Sequence, residues 1–184
     1  MNNFIKKISI ATLSLGLVAG SFATTASADT STVDTTLTGG SLSLENVSIN
    51  PFKAVTLTGS TQSTTTTLPE FSVVDATGTG AGWNLNIKAT QLATTGGQTL
   101  PENSLNISTP TITAENGSSD ASVIGSGNGD INSTTGVKLL TAEEDEGMGT
   151  FKITNSTLTL NLQPKDTMAG TYTSTVTFDL VAGP

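Results

Sequence analysis

The stretch that decides the fold is Asp75-Ala76-Thr77-Gly78-Thr79-Gly80-Ala81-Gly82-Trp83-Asn84-Leu85-Asn86-Ile87. Its three alternate glycines leave one side of the chain without side chains, so another backbone or a large ring can lie against it. The segment then alternates, and Trp83, Leu85 and Ile87 fall on one face of a predicted strand. It is not a phosphate-binding loop, because no helix follows and the loop holds no lysine. Asp75, Gly78, Gly80 and Gly82 are interpreted as the lead into the strand.

Trp83 is the only tryptophan of the chain, and two roles are open for it. A lone tryptophan on an alternating apolar face is usually a core residue whose N–H finds a partner. The alternative is direct contact with a ligand. The pattern favours the core role.

Further segments with alternating or apolar character predict more strands, and glycine-containing turns separate them. We expect an all-β domain, an antiparallel two-sheet β-sandwich of about 8–9 strands, Ig-like or Greek-key in type. The run Thr64 to Thr67 fits either a strand edge or a loop. The expected strands are Ser41–Leu44, Ala54–Leu57, Phe71–Val74, Trp83–Ile87, Leu105–Ile112, Val137–Leu140, Phe151–Ile153, Thr157–Leu162 and Tyr172–Leu180.

Composition excludes several classes of function. The 184 residues include no histidine and no cysteine, so Ser-His-Asp triads, thiol nucleophiles, disulfides and zinc fingers are ruled out. A formal net charge of −8 without arginine makes a nucleic-acid partner improbable. We expect no enzyme and no cofactor, with a glycan hydrolase as a remote alternative.

The N-terminal region predicts export. Lys6 and Lys7 precede the apolar run Ile8–Ala19, and the small residues Ala26-Ser27-Ala28 follow, which is typical of a secretory signal cleaved before Asp29. Residues 29–38 are then a flexible polar lead, and residues 39–184 form the domain. We find no wall-sorting signal and no lipid-attachment cysteine, so any attachment to the cell is expected to be non-covalent, without a membrane span.

A second informative stretch lies at residues 169–184. It predicts a long strand with Tyr172, Val176, Phe178 and Leu180 on one face and threonines on the other. A strand of this length is expected to pair centrally.

Together the two stretches resemble the WxL-domain proteins of Gram-positive cell surfaces. The proximal Trp-x-Leu signature matches Trp83 and Leu85, and the distal signature matches Tyr172, Val176, Thr177, Phe178, Leu180 and Pro184. The one departure is Phe178, where many members carry a second tryptophan, so a contact made through that N–H is lost here. The resemblance implies a small, single-domain surface protein held non-covalently on peptidoglycan, directly or through a partner cell-surface protein.

One acidic run is a candidate metal site. Glu143 to Glu146 could supply oxygen ligands to calcium. Four adjacent acids diverge unless a turn gathers them, so a solvated loop is favoured and no metal is predicted.

Overall fold

The computed structural model describes residues 29–184, and the proposed signal at residues 1–28 lies outside that range. Residues 29–41 are exposed along their whole length, and a compact unit spans Leu37–Pro184. Apart from one short 3-10 turn at Ala121–Val123, the regular secondary structure of the described residues is all strand, so the all-β prediction is confirmed. The strands are β1 Leu42–Glu45, β2 Gln62–Thr67, β3 Phe71–Asp75, β4 Trp83–Ala89, β5 Leu105–Ile107, β6 Thr111–Ala114, β7 Gly125–Ser126, β8 Gly129–Asp130, β9 Val137–Ala142, β10 Gly149–Thr154, β11 Thr157–Leu162 and β12 Val176–Ala182.

The strands form three antiparallel sheets of four strands each. The first sheet has the order β1-β3-β10-β6, the second β2-β11-β5-β8 and the third β12-β4-β9-β7. The predicted number of sheets, two, and the predicted number of strands, 8–9, are therefore both wrong. Alternation shows that a strand has one buried face but not which sheet it joins. β10 and β11 illustrate this, because only Asn155, at φ 58°, and Ser156 separate them, yet they lie in different sheets.

Two predicted strands differ from the structure. Ala54–Leu57 forms no strand. The last strand begins at Val176 rather than Tyr172, and it pairs with β4 alone, so it is an edge strand and not a central one. Just before it, the Ser174 hydroxyl donates to the Thr90 carbonyl and the Thr175 N–H donates to the Thr90 hydroxyl. These side-chain bonds replace the regular ladder at that point.

Leu105–Ile112 also divides into two strands. β5 belongs to the second sheet and β6 to the first. Pro110 lies between them and offers no backbone N–H for a ladder. The Thr64 to Thr67 run lies within β2, an edge strand of the second sheet.

The core is aliphatic with a few large rings. The first and third sheets meet through two ring contacts, Phe71 with Phe178 at 5.9 Å and Trp83 with Phe151 at 6.0 Å between centroids. Leu139 and Leu140 are both fully buried although they are consecutive, because the β4–β9 register shifts between Leu85 and Asn86. Such a bulge turns two neighbouring side chains into the core.

Candidate functional site

The two stretches singled out in the sequence are neighbouring strands. β4 and β12 pair antiparallel in a register that sets Ile87 opposite Phe178 and Leu85 opposite Leu180. Directly opposite residues of an antiparallel pair share one face of the sheet. The proximal and distal signatures therefore build a single apolar face.

Trp83 lies at the sealed end of that face. It is 0% exposed, and its Nε1–H donates to the Gly147 carbonyl over 2.9 Å. Leu85 is also 0% exposed. Neither side chain can touch a ligand in this arrangement, so both act in packing.

The glycine lead explains how Trp83 becomes sealed. Gly82 has φ +68°, and a Cβ there would lie 2.4 Å from the Ala142 carbonyl oxygen. The Gly80 carbonyl accepts the Asp145 N–H over 2.8 Å. Bare glycine backbone thus lets residues 142–147 lie against the lead, and Gly147 reaches the indole.

The other lead residues have local structural roles. Asp75 is buried, and its carboxylate accepts bonds from the Thr77 N–H at 2.9 Å and the Thr77 hydroxyl at 2.6 Å. Gly78 has φ +67° with open space around it. Both residues shape the turn that precedes β4.

Asn84, the middle residue of the proximal signature, was missed by sequence reasoning. Its Nδ2 donates to the Gly183 carbonyl over 2.6 Å, and its Oδ1 accepts from the Thr141 hydroxyl over 3.2 Å. The Gly183 N–H in turn donates to the Gly82 carbonyl. Asn84 therefore fastens the segment after β12 to the start of β4. Only its position between Trp83 and Leu85 could have pointed to it.

The distal signature lies at an open groove rather than in the sealed core. Tyr172, Val176 and Phe178 are half-buried and line a hollow of about 760 Å³ whose floor includes Leu105 and Leu158. A second hollow of about 610 Å³ continues it, with Leu100 and Leu160 in its lining. Four residues line both hollows: Phe52, Leu92, Thr171 and Tyr172. We call the two hollows together the groove. Leu180 is half-buried against the core and lines neither hollow.

The wall of the groove opposite Tyr172 is an extended segment, residues 47–57, which we call the strap. Side chains of β2 hold it: the Thr66 hydroxyl is 3.0 Å from the Asn50 carbonyl, and Gln62 Nε2 donates to the Thr56 carbonyl over 2.9 Å. Within residues 29–184, no backbone group of the strap bonds to another backbone group. Side-chain bonds thus take the place of the strand pairing that the alternation of Ala54–Leu57 predicted.

The groove is almost free of charge. Lys53 is the one charged residue in its lining, and no carboxylate of the described chain lines it. The Tyr172 hydroxyl donates to the Met168 carbonyl over 3.1 Å, which fixes the ring along one wall. Such a surface binds through apolar contact and hydrogen bonds rather than through ion pairs.

The acidic run Glu143 to Glu146 contacts the glycine segment before β4 through its backbone, because the Asp145 N–H donates to the Gly80 carbonyl. The side chains of Glu143 and Glu144 are exposed. Across residues 29–184 no three acidic side chains converge on a place that could hold a metal ion. The same residues contain no helix long and apolar enough to cross a membrane.

Comparison with known proteins gives one clear finding. The family model described as "WxL domain surface cell wall-binding" matches residues 23–184, nearly the whole chain. Neither the curated proteins nor the solved structures give a significant match.

Proposed function

The chain belongs to the WxL family of surface cell-wall-binding domains, and from this premise we propose that it is exported and attaches non-covalently to the peptidoglycan of a Gram-positive wall. The observation that carries the proposal is the groove along the distal signature. It is an apolar concavity lined by Tyr172, Val176 and Phe178 of the signature, and apolar concavities are where proteins most often bind ligands.

The two halves of the signature have different parts in this proposal. Trp83 and Leu85 are sealed and hold the domain together, whereas Tyr172, Val176 and Phe178 offer half-buried surface to a wall ligand. Leu180 supports Phe178 on the same strand face. The ring of Phe178 serves here as an apolar contact only, since phenylalanine has no N–H.

Electrostatics favour an uncharged ligand surface. The chain carries a net charge of −8, so it repels phosphate-rich wall polymers of the same sign. The groove itself has no carboxylate in its lining. A hydrogen bond from the Thr171 hydroxyl, with apolar contact from Tyr172, suits the uncharged parts of peptidoglycan.

The same lining speaks against a glycan hydrolase at this place. Glycoside hydrolysis uses a pair of carboxyl groups on either side of the scissile bond. The described residues that line the groove include neither aspartate nor glutamate. We therefore propose binding without a reaction.

Retention on sacculi stripped of protein tests the proposal. We expect the wild-type chain to be retained, and Tyr172→Ala to bind about tenfold more weakly, which corresponds to about 1.4 kcal/mol. Thr177→Ala is the matched control, because Thr177 lies on the exposed face of the same strand region. Equal retention of both variants, with unchanged melting, would remove the groove from the proposal.

A partner cell-surface protein is the second candidate function. The strap favours it, because within residues 29–184 its backbone bonds only to side chains and a partner strand could add backbone hydrogen bonds there. Retention on intact cells but not on stripped sacculi would select this candidate. In both cases chaotrope or high salt should release the protein, and release only after muramidase digestion would contradict non-covalent attachment.

A further inference from the structure

The N-terminal lead carries two apolar side chains that nothing covers. Val33 is 95% exposed and Leu37 is 90% exposed, in a run that is otherwise mostly threonine. In an extended chain these residues point to the same side, about 13 Å apart. Thr35 lies between them on that side. The lead thus has the pattern of a strand without a sheet.

The groove has the complementary pattern. It consists of two apolar hollows in series, and its strap wall has backbone groups that bond to no other backbone in the described residues. An extended peptide that enters such a place gains backbone hydrogen bonds from the wall and buries alternate side chains in the hollows. Val33 and Leu37 supply two such side chains at strand spacing.

The charges also agree. Lys53 is the one charged residue in the groove lining of the described chain, and Asp34 is the one charged residue within residues 32–38. In an extended chain Asp34 points away from Val33 and so faces the rim rather than the floor. A single opposite pair at the rim contributes little affinity, but it favours one orientation of the entering strand.

We propose that the lead of a second copy of this chain occupies the groove when no wall is present. This rests on the proposed function, because it makes the groove a shared site for which the wall and the lead compete. The contact joins different surfaces of the two copies, so it is head-to-tail and produces short open chains of molecules rather than a closed dimer.

Sedimentation velocity over a range of concentrations tests the proposal with the chain beginning at Asp29. The weight-average mass is expected to rise with concentration for the wild type and for Thr35→Ser, the matched control. The double variant Val33→Ser with Leu37→Ser is expected to stay monomeric. Its melting midpoint should not change, because both side chains are already exposed in the monomer. Tyr172→Ala should weaken association about tenfold.

Three results would overturn the proposal. The first is a wild-type chain that is monomeric at every concentration, and the second is association that persists in the double variant. The third is amide-exchange protection of the groove residues that depends on Val33 and Leu37 but not on concentration, because the lead would then occupy the groove of its own chain. Muramidase-digested peptidoglycan fragments should dissolve the wild-type assemblies, and assemblies that resist them would also contradict a shared groove.

Sacculus retention of the double variant separates this inference from the function. If the double variant is retained while the wild type never self-associates, wall attachment stands and the lead inference fails. If the wild type self-associates through Val33 and Leu37 but nothing is retained on sacculi, wall attachment through the groove fails while the lead contact stands.

Discussion

β4 and β12 are neighbours in one sheet and carry the two halves of one family signature, yet their surroundings differ. β4 is central, between β12 and β9, and its residues Trp83, Leu85 and Ile87 are 0% exposed. β12 is an edge strand whose inward apolar residues, Val176, Phe178 and Leu180, are only half-buried. A shared motif therefore does not imply a shared role: one half closes the core, and the other half borders the groove.

The strongest test of this contrast is the loss of the tryptophan. Trp83→Ala is expected to lower the free energy of unfolding by about 3–5 kcal/mol, as large-to-small changes of buried aromatics do. Wall retention should then fall only where the domain unfolds. Trp83→Phe keeps most of the ring but leaves the Gly147 carbonyl without its donor, so it should cost about 1–3 kcal/mol. Thermal melts measured beside sacculus retention decide the matter, and an unchanged midpoint with retention abolished would move Trp83 to the binding site.

The next largest effect is expected in the glycine lead. Gly82→Ala places a methyl group 2.4 Å from the Ala142 carbonyl oxygen, whereas Gly78→Ala has the same sign of φ and free space around it. Gly78→Ala should cost about 1–2 kcal/mol for the left-handed backbone alone. Gly82→Ala should cost clearly more, because the loop that bonds Trp83 must also move. Equal denaturant midpoints for the two variants would show that the lead does not seal the tryptophan.

A smaller effect is expected at the junction of the two strands. Asn84→Ala removes the bonds to Gly183 and Thr141, which should cost about 1–2 kcal/mol. Amide exchange near Gly183 should rise with it. Asn86→Ala, two residues along the same strand, is the control. A loss as large for Asn86 as for Asn84 would contradict a specific fastening by Asn84.

The smallest effect is expected at the departure from the family pattern. Phe178→Trp places a larger ring beside the hollow that Phe178 already lines, so the change in stability should stay below about 1.5 kcal/mol. Retention on sacculi should be equal or stronger. A large destabilisation would show that β12 is packed as tightly as β4, and the contrast between the strands would be lost.

Sequence reasoning reached the strand class and the core-facing residues of the signature strands because alternation reports burial directly. It placed Trp83, Leu85 and Ile87 on one face of a strand, and it placed Phe178 and Leu180 on one face of a second strand. In the structure the two strands are paired, and these two faces are continuous. Alternation carries no information on which strands are neighbours. The number of sheets, the edge position of β12 and the failure of Ala54–Leu57 to pair therefore depend on contacts distant in sequence.

The groove could not be predicted from the sequence either. Tyr172, Val176 and Phe178 were identified as motif residues, but their opposite wall is the strap, and hydroxyl and amide side chains of β2 hold it there. Threonine in a strand is ordinarily a surface residue, so nothing in the run Thr64 to Thr67 predicts that one of its hydroxyls is buried against a carbonyl. Asn84 was missed for a similar reason, because a polar residue between two apolar ones is expected to face water.

The pairing of β4 with β12 also sets the order of events in folding. Asn84 and Gly183, which bond to each other, are 99 residues apart, and contacts so distant in sequence form only after the chain between them is available. In a chain that crosses a membrane from its N-terminus, β4 leaves the export channel long before its partner does. If this chain is exported as proposed, the third sheet stays incomplete during passage, and the domain acquires its final form only on the far side.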